Sequence, residues 1–263
     1  MPSQKQSKRR RREARVAPPP VRARTHARRQ ASPRVLIAAA ALLALVVVGI
    51  VLGVVLTSDG GSSSATGAIL PGAADVQTLL RRIPQHGNVL GKPSAPVMMV
   101  EYVDLQCPFC QEFETQAMPT LISRYVRPGK LKVEARPIAI RGGDSFRGQS
   151  ATIAAGMQNK LFNFMQLLYD NQGVENTGWL DDNMVKSAAS SIPGLDVGLF
   201  LKQLNSSTVD EQVKTVDAQA TADAVDRTPT ILVGKTGTKP RVVTVTSASD
   251  PSAVAAAVDA ALG

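Results

Sequence analysis

The longest apolar stretch of the sequence, Val35 to Leu56, contains 22 residues without a charged side chain. As a helix it is about 33 Å long, enough to cross the hydrocarbon core of a membrane. Residues 1–34 carry twelve Lys or Arg and one acidic residue, and such a flank stays in the cytoplasm. The pattern predicts a signal-anchor, a single transmembrane helix in the cell membrane, with the C-terminal part outside the cytoplasm. The alternative is a cleaved signal peptide, whose apolar region is about 7–15 residues long.

After residue 72 the apolar positions follow strand and helix periods in turn. The apolar run Val97–Val103 predicts a buried strand, and helical spacing from Pro108 predicts a helix with a kink at Pro119. Leu131–Ile140 alternates and predicts a second strand. The other predicted elements are a short helix from Ala73, helices at Gln149–Leu168, Asp181–Ser191, Val197–Leu204 and Thr208–Ala224, strands at Thr230–Val233 and Arg241–Thr246, and a last helix after Pro251.

The positive charge of the chain belongs to its N-terminal segment. The formal net charge is +9, and residues 1–34 contribute +11, so the remaining 229 residues carry −2. A nucleic-acid-binding domain needs a basic face on a folded scaffold, and nothing after Arg34 offers one. The tail is therefore interpreted as a topology signal that is also attracted to anionic lipid headgroups.

The only two cysteines form the motif Cys107-Pro108-Phe109-Cys110, directly after the predicted strand. Cys107 is predicted at the N-cap of a helix, with Pro108 at its first position. There, backbone N–H groups and the helix dipole lower the pKa of a thiol and favour the nucleophilic thiolate. Cys110, one turn further in, is predicted to be less exposed and to resolve the mixed disulfide.

Two structural explanations of the cysteine pair are weaker. A disulfide that closes so short a loop stabilises a fold little. A structural zinc site needs two further ligands, and the only histidines are His26 and His86. We therefore expect no metal and no cofactor.

Four other residues are candidates for the same site. Glu101 lies inside the apolar strand, where a buried carboxylate could accept the proton of Cys110; an edge-strand glutamate facing water is the alternative. Asp104, at the strand end, is expected to cap the loop. Thr228-Pro229 precedes a strand, and if the peptide bond is cis, the Thr228 backbone would face the sulfurs and pair with an incoming chain.

These motifs together resemble the DsbA-like thiol:disulfide oxidoreductases of the thioredoxin superfamily. The resemblance extends from about Val89 to Thr246 and includes the helical block. It rests on Gly91-x-Pro93-x-Ala95-Pro96-Val97, Glu101-Tyr102-x-Asp104-x-x-Cys107-Pro108-x-Cys110 and Thr228-Pro229-Thr230.

The resemblance implies a nucleophilic Cys107, a resolving Cys110, a cis Pro229 facing them, and an acidic proton acceptor at Glu101. Pro108, Phe109 and Thr228 are then the residues that meet the substrate. It also implies that exported proteins with cysteines are the substrates and that a membrane quinone-linked partner reoxidises the enzyme. We expect a monomer.

The chain departs from the family pattern at two positions. Phe109 stands where strong oxidants of the family have His, whose imidazolium stabilises the thiolate, so a weaker oxidant is expected. Arg227 stands where Gly often precedes the Thr-Pro pair, and its charge could restore thiolate stability or influence the choice of substrate.

The predicted fold is therefore a thioredoxin-like α/β domain with an inserted helical subdomain, preceded by a transmembrane helix. The predicted segments are a disordered basic tail (1–34), the anchor (35–56), a flexible stalk (57–72), the thioredoxin-like domain (73–144 and 225–263) and the helical subdomain (145–224).

The same residues are compatible with other functions. A reductase or isomerase would use the same cysteine pair, and a non-enzymatic module could hold Cu(I) or a partner through the two thiols. A sensor that signals through its Arg-rich tail is a further alternative.

Overall fold

The computed structural model describes residues 69–263. The predicted tail and anchor, and all but the last residues of the predicted stalk, lie outside the described residues. Within residues 69–263, no helix is both long enough and apolar enough to cross a membrane.

A six-stranded mixed sheet forms the centre of the described part of the chain. Its order is β1-β2-β4-β3-β5-β6, with β3 and β4 parallel and all other neighbours antiparallel. The strands are β1 (Gln85–His86), β2 (Val89–Leu90), β3 (Val97–Val103), β4 (Leu131–Pro137), β5 (Thr230–Lys235) and β6 (Arg241–Val243).

Strand β3 has the bounds that the apolar run predicts. It lies between β4 and β5, and all of its residues except Met98 are buried. A central strand covered on both faces is apolar throughout rather than alternating. The parallel pairing of β3 with β4 brings Val103 opposite Pro137, so the loops that follow the two strands meet at one edge of the sheet.

Eight helical elements of residues 69–263 surround the sheet. They are α1 (Ala73–Leu80), α2 (residues 108–126), α3 (Gly143–Gly156), α4 (Leu161–Asp170), α5 (Asp182–Ser190), α6 (Val197–Leu204), α7 (Ser207–Ala222) and α8 (Ser252–Leu262). Helices α3 to α7 lie between β4 and β5 in the chain and supply the predicted helical insertion. The domain bounds at residues 145 and 224 stay a prediction.

Helix α2 is irregular, as its proline predicts. Its α-helical segments, Pro108–Glu112 and Met118–Leu121, alternate with π-helical turns at Phe113–Ala117 and Ile122–Val126. Pro119 has no N–H to donate to the preceding turn, which interrupts the α-helical hydrogen-bond ladder.

The single helix predicted over Gln149–Leu168 is wrong. The chain forms α3 and α4 instead, separated by a turn in which Asn159 has φ of 58°. The N–H of Lys160 donates to the carbonyl of Ala155 (3.0 Å) and closes the end of α3. Asn is one of the few residues that adopts this left-handed conformation at a helix end. The apolar period continues across the turn, which explains the error.

Strand β4 ends three residues before the predicted Ile140. The backbone N–H groups of Ile140 and Arg141 leave the sheet and donate to Oδ2 of Asp104, at 2.8 and 3.0 Å. Strand β6 is also shorter than predicted. The two-residue strands β1 and β2 were not predicted, because two residues carry no periodic signal.

Candidate active site

Cys107 occupies the predicted N-cap of α2. Its backbone is extended (φ −75°, ψ 118°), Pro108 begins the helix, and the N–H of Gln111 donates to the Cys107 carbonyl at 3.1 Å. Both Cys107 and Cys110 are free thiols. Strand β3 and the residues after it therefore deliver one sulfur to the helix terminus and the other one turn further along.

The expected difference in exposure between the two cysteines is wrong, because both side chains are 0 % exposed. The Cys107 thiol donates to the carbonyl oxygen of Thr228 (3.3 Å), and Nη2 of Arg141 lies 3.7 Å from its sulfur. Phe109, between the cysteines, is 57 % exposed. A substrate sulfur can therefore reach Cys107 only after a covering group moves.

The two thiols nevertheless ionise very differently. The pKa of Cys107 is lowered to about 6, chiefly because the Cys110 thiol donates a hydrogen bond to its sulfur, and also through Thr228, the Cys110 backbone and Arg141. Burial opposes these effects. The Thr228 hydroxyl is buried without another partner, so it is free to donate to the thiolate once that forms. Burial, with the charge of Cys107, raises the pKa of Cys110 well above its ordinary range.

Glu101 is buried at the centre of the sheet, so the alternative of an edge glutamate facing water is wrong. It interacts with the carboxyl of Glu114 on α2, and Gln166 donates to Oε2 of Glu114. Burial and the neighbouring carboxyl raise the pKa of Glu101, and burial raises the pKa of Glu114 to about 7. Among residues 69–263, no other hydrogen-bond donor reaches either oxygen of Glu101 or Oε1 of Glu114. A proton shared between the two carboxyls would therefore give each of them a hydrogen bond.

Asp104 caps the loop between β3 and the cysteines, as predicted. Its Oδ1 accepts hydrogen bonds from the N–H of Gln106 (2.9 Å) and the hydroxyl of Ser145 (2.8 Å). Its Oδ2 accepts the N–H groups of Ile140 and Arg141. This buried carboxylate fastens the loop after β3 to the loop after β4 and to α3.

The Thr228–Pro229 peptide bond is cis, and the Thr228 carbonyl faces Cys107. A groove of about 430 Å³ begins beside these residues. Its lining includes Phe109, Glu112, Arg227, Thr228, Pro229 and Val245.

Arg227 does not provide the thiolate with its positive charge. Its side chain is 78 % exposed and pairs with Asp226 at 2.8 Å. The expectation that it restores thiolate stability is therefore wrong. Arg227 lines the groove, and its suggested influence on the choice of substrate stays a prediction.

Three residues near the cysteines were missed from the sequence: Arg141, Glu114 and Tyr169. The Tyr169 hydroxyl is buried and donates to the Asp104 carbonyl at 3.1 Å. Glu114 follows Cys110 by four residues, which places both on one helix face, so its position was a usable signal. Arg141 reaches the site only through the tertiary fold.

No group of three or more His, Cys, Asp or Glu side chains in residues 69–263 has an arrangement that could hold a metal ion. Met99 is buried in the hydrophobic core and Met98 packs against that core.

Comparison with known proteins identifies the class. Residues 85–259 match the family described as Thioredoxin, and the chain belongs to this family. Within it, the chain is a DsbA-like thiol:disulfide oxidoreductase.

Three relatives carry the name disulfide bond formation protein D, two of them as probable. The chain is 30 % identical over 147 residues to a probable disulfide bond formation protein D of Bacillus cereus, across 55 % of this chain and 68 % of that protein. Its fold is similar to that of oxidised BdbD from Bacillus subtilis, with a TM-score of 0.59 and 21 % identity, covering 68 % of this chain and 97 % of that one. Chlamydia trachomatis DsbA gives a TM-score of 0.56 and 16 % identity, with coverages of 66 % and 90 %.

Proposed function

We propose that this protein is a membrane-anchored extracytoplasmic oxidoreductase that introduces disulfides into exported proteins. The observation that carries the proposal is the placement of the cysteines: Cys107 lies at the N-terminus of α2, 3.3 Å from the carbonyl oxygen beside the cis Thr228–Pro229 bond and 3.7 Å from Nη2 of Arg141. This placement agrees with a lowered pKa of Cys107 and a raised pKa of Cys110. Stabilising the thiolate favours the reduced form of the pair, so the disulfide form tends to take electrons from substrate thiols.

Each turnover oxidises one substrate dithiol. A substrate thiolate attacks the sulfur of Cys107, the Cys107–Cys110 bond breaks, and Cys110 leaves and takes up a proton. A second substrate thiolate then attacks the substrate sulfur of the mixed disulfide and releases the Cys107 thiolate. The substrate loses two electrons, and the enzyme now holds them as a dithiol.

The Glu101–Glu114 pair is the proposed source and acceptor of the Cys110 proton. During reoxidation the Cys107 thiolate attacks the disulfide of a partner, and Cys110 must lose its proton before it can resolve the mixed disulfide. Glu114 lies on the same helix face as Cys110, and raised carboxyl pKa values suit proton transfer near neutral pH.

The groove beside the cis peptide bond is the proposed substrate site. An extended segment there would lie against Pro108, Phe109 and Thr228, with Pro229 opposite the cysteines. The exposed Phe109 ring and the cavity of about 430 Å³ support this assignment.

We further propose that residues 35–56 anchor the protein as a monomer in the cell membrane with the catalytic domain outside the cytoplasm. A quinone-linked membrane partner would then reoxidise it. The apolar length and the Arg-rich flank support the anchor. Membrane fractionation of the full chain tests this. Recovery of the intact chain with the membranes is expected, and a soluble chain shortened after the apolar segment would contradict it.

A trapping experiment tests the reaction and its direction. With a reduced, unfolded protein that contains two cysteines, the oxidised enzyme should form the substrate disulfide. In Cys110→Ser, Cys107 is first converted to its mixed disulfide with glutathione. The thiolate of a single-cysteine substrate should then attack the Cys107 sulfur, release glutathione and accumulate as the enzyme–substrate mixed disulfide. Cys107→Ser should do neither. A reduction potential above that of thioredoxin, about −270 mV, supports an oxidase, whereas a value at or below it would assign the protein to the reductases.

A further inference from the structure

We propose that Arg141 is the cation that stabilises the Cys107 thiolate, and that Glu175 sets the strength of this stabilisation. The inference rests on the proposed function, because it concerns how the same cysteine pair is tuned. It also answers how a site with Phe109 between its cysteines obtains a positive charge.

One guanidinium bridges the sulfur and the carboxylate. Nη2 of Arg141 lies 3.7 Å from Sγ of Cys107, and Nη1 lies 3.2 Å from Oε1 of Glu175. Arg presents its donors in a fixed planar fork and remains charged at any relevant pH. The thiolate and the carboxylate therefore compete for the same positive charge.

The loops that carry this pair are fastened to the cysteine loop. The N–H of Arg141 donates to Asp104 at 3.0 Å, and its carbonyl accepts Nδ2 of Asn176 at 2.7 Å. The N–H of Asn176 in turn donates to Oε1 of Gln106 at 2.6 Å. Both partners of the ion pair are thus tied to the residues immediately before Cys107, and each side chain is only 33 % exposed.

The other charged groups near Cys107 do not supply this cation. Arg227 is exposed and paired with Asp226. The carboxylate of Asp104 is bound by four donors, and Glu101 and Glu114 are acidic and occupied with each other. Glu112, which lines the groove, is also acidic. The side chains of Cys110 and Tyr169 are neutral at physiological pH because burial raises their pKa values. Among the described residues, Arg141 is the cation recorded in contact with the sulfur.

The position of the arginine predicts the direction in which it changes the redox equilibrium of the cysteine pair. A guanidinium stabilises the Cys107 sulfur when it is a thiolate and not when it is a neutral disulfide sulfur. Arg141 therefore favours the dithiol form and makes the disulfide a stronger oxidant. The Glu175 carboxylate partly cancels this charge. Removing the negative charge at Glu175 and removing the positive charge at Arg141 should change the equilibrium in opposite directions.

The test measures two quantities in the full chain: the pH midpoint of Cys107 ionisation, from thiolate ultraviolet absorbance, and the equilibrium of the cysteine pair with glutathione. Arg141→Gln should raise the midpoint and lower the oxidising equilibrium constant about tenfold, which corresponds to about 30 mV. Arg141→Lys should retain most of the wild-type behaviour. Glu175→Gln, which keeps an acceptor for the arginine, should lower the midpoint and raise the constant about threefold.

A salt titration and a control substitution at a second arginine distinguish an electrostatic effect on Cys107 from a change in folding. Added salt should raise the midpoint of the wild type and leave Arg141→Gln almost unchanged, because ions screen partly exposed charge pairs. Arg124→Gln is the control, since Arg124 also pairs with a carboxylate, Asp259, at 3.1 Å, but at the far end of α2. It should change neither quantity.

Three results would overturn the inference while leaving the proposed function intact. In the first, the wild-type midpoint is near pH 6 and Arg141→Gln does not change it. In the second, Arg141→Lys lowers the equilibrium constant with glutathione as much as Arg141→Gln does. In the third, Glu175→Gln shifts the midpoint in the same direction as Arg141→Gln. Failure of the proposed function looks different: the wild type itself would ionise as a free thiol or fail to exchange disulfides.

Discussion

The carboxyl groups of Glu101 and Glu114 are buried together between β3 and α2, and within the described part of the chain Gln166 is the one further donor that reaches them. Two adjacent carboxylates in a buried site cannot both ionise easily. The pair therefore holds a proton under conditions in which an exposed carboxyl would have lost it.

Glu101→Gln should slow the resolution step, in which Cys110 must lose its proton, by at least about tenfold at neutral pH. The attack of Cys107 on a small disulfide should change little, because that thiolate is stabilised at the helix terminus. Single-turnover kinetics of mixed-disulfide formation and decay separate the two steps. Glu211→Gln, the same change at an exposed position of α7, is the control. Equal slowing of both steps would argue against a proton role for Glu101.

The Glu101–Glu114 pair also predicts how stability depends on pH. Because the folded state holds its carboxyl protons to higher pH than the unfolded chain does, the folded form binds more protons between about pH 4.5 and the raised pKa values. The free energy of unfolding of the oxidised protein should therefore fall as pH rises through this window, and it should fall less in Glu101→Gln. Urea unfolding at pH 5 and pH 8 measures the slope.

Cys107 predicts the opposite pH dependence for the reduced protein. The pKa of Cys107 is about 6 in the folded protein and about 8.5 in the unfolded chain. Its stabilising contribution to the free energy of unfolding is therefore fully present above pH 8.5 and is lost as pH falls through 6. Between pH 5 and pH 8.5, the free energy of unfolding of the reduced form should rise by about 2 kcal/mol relative to that of the oxidised form, with solvent screening allowed for. Urea titrations of the reduced and the oxidised protein measure this difference. The contribution of the Glu101–Glu114 pair is present in both forms and largely cancels. A difference independent of pH would contradict the prediction.

Gly148 couples the helical insertion to the cysteine loop. A Cβ at this position would lie 2.7 Å from Cδ2 of Leu180 and 2.8 Å from Cβ of Leu105, two residues before Cys107. Gly148→Ala should therefore destabilise the protein by about 2 kcal/mol through overpacking. Gly143→Ala, in the same helix with no atom within 4 Å of the added Cβ, should have little effect. Urea unfolding compares the two, and equal stabilities would refute the close packing.

The sequence predicted the elements that carry the cysteines because those elements have strong local signals. A continuous apolar run defined β3, and a proline after Cys107 defined the start of α2. Helix α6 was predicted with its observed bounds, Val197–Leu204, because its amphipathic period is clear. The break near Asn159 was missed since the apolar period runs through it, and only a backbone conformation marks it.

The missed parts of the site depend on which strand ends meet. Arg141 reaches Cys107 because β3 and β4 are parallel, which brings the loops after Val103 and Pro137 to one edge of the sheet. Periodicity does not specify pairing between strands. The burial of Cys107 likewise comes from segments distant in sequence, namely the Thr228 carbonyl and the Arg141 side chain.

The titration of Cys107 in the wild-type protein tests the central claim most directly. Thiolate absorbance of the reduced protein, with Cys107→Ser as the reference, should give a midpoint near pH 6, with Cys110 still protonated at that pH. A midpoint at about 8.5, the value of a free thiol, would contradict the assignment of Cys107 as the activated nucleophile.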